Sequence, residues 1–135
     1  MPLILWKPEL SVKVRELDGQ HQKLIALIND LDEAMAQGQS KAIMGAIISE
    51  LARYTSTHFA HEEELLARFD YPGTAAQLAG HAAFIEDVAR FQRGFEAGKL
   101  GLSIQVMDFL SDWLTKHIMG TDQQYSAFLN ERGIT

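Results

Sequence analysis

Apolar residues recur every three or four positions in four long stretches of the chain, the spacing of amphipathic helices. Leu24, Ile25, Ile28, Leu31 and Met35 form the first series, and Met44, Ile47, Leu51, Tyr54, Leu65 and Phe69 the second. The third holds Leu78, Phe84, Ile85, Val88, Phe91 and Phe95; the fourth holds Leu102, Val106, Phe109, Leu110 and Trp113. Each series predicts one buried helix face. The pattern breaks at Gly38 to Ser40, at Tyr71-Pro72-Gly73 and at Gly98 to Gly101, where glycine and proline end helices. Short links between long helices make sequential neighbours antiparallel, so the expected fold is an all-α, up-down-up-down four-helix bundle. Strand-like alternation is essentially missing. Residues 1–17, with two prolines and Trp6, read as a non-helical arm packed on a bundle that spans 18–120. After Gly120, Thr121-Asp122-Gln123-Gln124 has the form of a capping box. It predicts a break and a short final helix within 121–135.

Composition narrows the function classes. The 135 residues suit one domain, and no apolar run approaches the ~18–20 residues needed to span a bilayer. The start lacks the basic leader and long apolar core of a signal peptide, and there is no cysteine. A cytoplasmic monomer is the expectation. A net charge of -6 without a local run of Lys and Arg argues against nucleic acid. Without cysteine, any metal is held by nitrogen and oxygen.

Extending the stripes places polar residues where core is expected. His21 precedes Leu24 in register, Tyr54 leads on to His58 and Glu62, Gln77 and His81 open the third stripe, and Trp113 leads on to His117. A single such histidine is more often a hydrogen-bonded core residue than a ligand. Glu62 is harder to place that way, because a buried carboxylate costs several kcal/mol, roughly, unless paired or metal-bound. One turn from His58, it lies ~5–6 Å away on the same face. Gln77 and His81 repeat the spacing. In an antiparallel bundle, early helix one, late helix two, early helix three and late helix four come to one level, so these residues share a layer. Asp122 would lie about 140° off the face of His117 on a continuous α-helix. Only a break before it lets it point back; otherwise its role is to stabilise a helix start. The donors are too many for one tetrahedral zinc but suit two metals ~3.5–4 Å apart bridged by carboxylates.

Leu17-Asp18-Gly19-Gln20-His21, His58-Phe59-Ala60-His61-Glu62-Glu63, Tyr71-Pro72, His81-Ala82-Ala83-Phe84 and Trp113 to Ile118 followed by Asp122 together resemble the hemerythrin family, specifically its single-domain bacterial members. The resemblance covers nearly the whole chain. It implies two non-haem iron ions with a bridging oxo or hydroxo group, and reversible binding of dioxygen for storage, transport or delivery rather than enzymatic catalysis. It implies that His21 and His58 hold the iron with an open position, that His81, His117 and residue 77 hold the other, and that Glu62 and Asp122 bridge them. Phe59, Trp113, Leu114 and Ile118 match the positions lining the family's oxygen pocket. His61 matches no ligand and reads as a surface or supporting residue. The chain departs from the family at Gln77, where a histidine is usual. The amide can bind through its oxygen, yield to water or leave the place vacant, and an opened position would favour a peroxidase-like or oxygen-reducing activity instead. A metal-free or zinc-loaded structural bundle is the third reading.

Overall fold

The computed structural model describes residues 3–98 and 104–135. Four long helices, α1 (Arg15–Ala36), α2 (Lys41–Arg68), α3 (Thr74–Glu96) and α4 (Ile104–Lys116), form an antiparallel bundle, followed by a short α5 (Ser126–Glu131). No strand occurs among the described residues. α1 packs against α2 and α4, and α2 against α3.

The helix ends have local causes. Past α1, Gly38 takes φ +64, Gly38 N–H donates to Met35 O and Gln39 N–H to Ala34 O, closing the orphan carbonyls in a Schellman motif. Ser40 then caps α2 by accepting from Ile43 N–H at 3.2 Å. The α2 end repeats the motif with Asp70 at φ +54, a conformation that a short polar side chain tolerates.

The stripes differ in detail from the periodic reading. Leu78 and Phe109, expected in the core, are each 43% exposed. On α2 the buried line runs through Ile48, Leu51, Thr55, His58, Phe59, Glu62 and Leu66, so Tyr54 lies at its edge and Thr55 at its centre. Leu102 and most of the expected break at Gly98 to Gly101 lie outside the described residues.

The arm is shorter than expected. α1 begins at Arg15, and before it Pro8–Leu10 make one 3-10 turn. Leu10, Val12 and Val14 are buried. Their backbone is held by side chains of the bundle: Asn29 bonds both N–H and C=O of Ile4, Asp18 accepts from Val12 N–H, and Gln123 donates to the carbonyls of Glu9 and Ser11.

The expected break at Gly120 does not occur. Thr121 is helical and makes no capping bond. Instead α4 runs into a π-turn, His117–Thr121, then a 3-10 turn, Asp122–Tyr125, and α5. Asp122 N–H donates to His117 O, the i→i+5 bond of a π-turn. One wider turn absorbs the phase error that a regular α-helix would leave.

Candidate metal centre

The helices and the turns after them bring the inward polar residues together in space. His21 comes from α1, His58 and Glu62 from α2, Gln77 and His81 from α3, His117 from the π-turn and Asp122 from the turn after it, and all seven are buried. Ligand atoms of His21, His58 and Glu62 lie within 4.8 Å of one another, as do those of Glu62, His81, His117 and Asp122. Glu62 belongs to both groups.

The carboxylates divide their oxygens between the groups. Glu62 Oε2 faces His58 Nε2 at 3.5 Å and His21 Nε2 at 3.6 Å, while Oε1 faces His81 Nε2 at 3.0 Å. Asp122 Oδ2 lies 3.3 Å from His21 Nε2, and Oδ1 lies 3.1 Å from His117 Nε2. His81 Nε2 and His117 Nε2 approach to 3.1 Å. Nitrogen lone pairs and carboxylate oxygens thus converge on one small space.

Behind these side chains lie groups that orient them. His58 Nδ1–H donates to Gln20 Oε1 at 2.6 Å, and His81 Nδ1–H donates to Glu63 Oε2 at 2.8 Å, so each ring turns Nε2 inward. Tyr125 O–H donates to Glu62 Oε2 at 2.8 Å. Gln77 Nε2 lies 3.0 Å from Asp122 Oδ1 and 3.5 Å from Thr121 O. Both are acceptors only, which fixes the amide's NH2 toward them. Gln77 Oε1 is left buried with no partner in the protein.

Burial and charge compete across the layer. Burial depresses His21, but the Asp122 and Glu62 carboxylates overcome it and hold the ring up at about 9. Burial pushes His58 down to about 4 against the pull of Glu62, with His21 adding to the fall. Glu62, which burial would raise, is held well below the usual carboxylate range by the His21 and His81 rings that face it. His81 is raised, its burial outweighed by Glu62 and Glu63.

The inward atoms suit metal. Both ring nitrogens of His21, Glu62 Oε1 and Gln77 Oε1 have no hydrogen-bond partner in the protein, whereas buried polar atoms are nearly always satisfied. Imidazole with carboxylate is a donor set for first-row transition metals. The family model of the hemerythrin HHE cation binding domain matches residues 12–129. The chain belongs to the hemerythrin family. Bacteriohemerythrin of Stenotrophomonas maltophilia is 38% identical across 97% of this chain and 87% of that protein. Bacteriohemerythrin of Methylococcus capsulatus is 30% identical across 96% and 99%. A crystal structure of wild-type hemerythrin superposes with TM-score 0.88 at 28% identity, covering 93% of this chain and 96% of that one.

The four residues expected at a hemerythrin oxygen pocket fall into two pairs. Phe59 stacks on the His81 ring, centroids 3.8 Å apart, and Trp113 stacks on His117 at 4.5 Å. Leu114 and Ile118 instead line a narrow apolar crevice with Ile4, Leu10, Ile25 and Thr115. His61 stands apart, half-buried, 3.4 Å from Glu16. Sequence reasoning passed over Gln20, Glu63 and Tyr125, whose partners lie on other elements. The adjacency of Gln20 to His21 and of Glu63 to Glu62 was the available signal.

Proposed function

We propose that the chain binds dioxygen reversibly at a pair of non-haem irons, His21 and His58 holding one, His81, His117 and Gln77 Oε1 the other, with Glu62 and Asp122 bridging. The observation that carries this reading is the division of both carboxylates between the two groups of imidazoles. An iron pair, once bound, supplies the open coordination and the electrons for reversible dioxygen uptake. The chain supplies the rest. Gln20 and Glu63 keep the His58 and His81 rings turned inward through their Nδ1–H bonds. Gln77 holds Asp122 Oδ1 through its NH2, which leaves its carbonyl oxygen free to act as a weak neutral donor. Tyr125 keeps a proton, because burial and the charges of Asp122 and Glu62 push its phenol well above the usual range, and its O–H steadies Glu62. Phe59, Leu114 and Ile118, all at most 3% exposed, exclude water, which suits a neutral diatomic. Among the described residues, no helix is long and apolar enough to cross a membrane.

The test is an optical spectrum of the reduced, iron-loaded protein before and after air, with metal analysis of the same sample. Two irons per chain and a band that appears in air and fades on deoxygenation are the expected outcome. Zinc in place of iron, or an air-induced change that never reverses, would refute the reading.

A further inference from the structure

Five buried side-chain atoms among the described residues lack a hydrogen-bond partner in the protein, and four belong to His21, Glu62 and Gln77 in the metal-binding layer. The fifth is the hydroxyl of Thr55, a residue only 2% exposed. A helical threonine ordinarily turns its hydroxyl back to the carbonyl four residues earlier. Thr57 donates in this way to Arg53 O at 3.0 Å, and Thr115 to Ser111 O. Thr55 does neither this nor anything else within the protein.

Its position is specific. Thr55 occupies the middle of the buried line of α2, with Leu51 before it and His58, Phe59 and Glu62 after it. Helical side chains lean toward the helix N-terminus, so the rings of His58 and Phe59 lie over the turn that carries Thr55. The hydroxyl is therefore about one turn from an imidazole of the metal layer, on a buried line whose residues one turn away include Leu51 and Phe59. No acceptor of the protein reaches it.

We infer that Thr55 is a binding residue for a small acceptor ligand of two or three atoms, dioxygen or azide, taken up beside His58. The inference rests on the proposed dioxygen-binding function and adds to it the donor that distinguishes an acceptor ligand from an inert apolar one. A buried hydroxyl without a partner in the protein is destabilising until an acceptor arrives, so its bond strengthens the complex.

Two substitutions separate use from structure: Thr55→Val keeps the shape and removes the hydroxyl, and Thr55→Ser keeps the hydroxyl. Thermal melting of the metal-free protein comes first. With no partner to lose, Thr55→Val leaves the midpoint unchanged or raises it by about 2–6 °C; a fall of that size would show the hydroxyl already bonded and overturn the inference. In the iron-loaded protein, Thr55→Val keeps the wild-type metal content while the Kd for azide and the dissociation rate of dioxygen rise about tenfold, the effect of one modest hydrogen bond. Thr55→Ser stays within about twofold of wild type on the same scale. Equal azide affinity in wild type and Thr55→Val overturns the role of Thr55. Weakened azide binding in a protein that takes up no dioxygen supports it and overturns oxygen carriage instead.

Discussion

The two halves of the candidate metal centre each present two imidazoles, but what stands behind those imidazoles differs. On the α1 and α2 side, His58 leans on the neutral amide of Gln20 and His21 Nδ1 has no partner. On the α3 and α4 side, His81 leans on the carboxylate of Glu63, aromatic rings cover both histidines, and Gln77 supplies an amide oxygen instead of a third imidazole. A carboxylate behind a ring makes it a stronger donor, so Glu63 acts on the half where Gln77 is weak. The lesson is that ligand identity alone does not rank the two positions; the groups behind the ligands can offset a poor donor in front.

The comparison can be broken at several points. The largest effect is expected from Glu62→Ala, which removes the one residue common to both groups of ligand atoms. Metal retention against a chelator should fall by more than the ~10–100-fold typical of supporting residues, with both ions lost together. Retention of one ion would show that the halves are independent. Next is Gln77→His, which should slow loss of metal from the α3 and α4 half about tenfold and lengthen the lifetime of the oxygenated absorption band. Equal lifetimes in the two proteins would mean that Gln77 is no handicap. Glu63→Gln keeps an acceptor for His81 Nδ1–H and removes the charge; a loss of metal affinity of roughly tenfold or less, confined to one ion per chain, is expected. Loss from both ions would erase the asymmetry.

The smallest effect concerns protons in the metal-free chain. His21 is held up at about 9 against an ordinary value of 6.5, so its contribution to stability is complete below 6.5 and is lost as pH rises through about 9. His58 is held down at about 4. Between 6.5 and that value the unfolded chain binds a proton that the folded chain refuses, and stability falls as pH drops. Glu62, held low, adds loss at still lower pH. Melting temperatures across the range should therefore peak near 6.5. A midpoint that keeps climbing past pH ~9 would contradict the charge pairing of His21.

The helices were legible because periodicity reports burial directly, and the convergence of inward polar side chains was legible because antiparallel register turns chain position into height. The meeting of His21, His58, Glu62, His81 and His117 in one buried layer needed nothing else. Thr55 was missed because a threonine beside a tyrosine gives periodicity no reason to prefer it, and the stripe was drawn through Tyr54. Leu78 and Phe109 were assigned inward on hydropathy, although both stand 43% exposed. The pairings of Gln20 and Glu63 depend on how neighbouring helices rotate, which a single helix pattern does not encode. Gly120 looked like a stop, and no residue type announces a π-turn.

That π-turn makes the placing of Asp122 beside the histidines a matter of phase rather than of chemistry. A carboxylate four residues after His117 would share its face on a plain α-helix; here the interval is five, and one extra residue of winding makes up the difference. Straightening His117–Asp122 into regular α-helix with every residue kept would leave all seven residues of the site in the chain. It would swing Asp122 about 140° off the face of His117 and carry Tyr125, three residues beyond Asp122, out of step with Glu62. The centre is in this sense counted as well as composed, and its most damaging lesion need not touch a ligand.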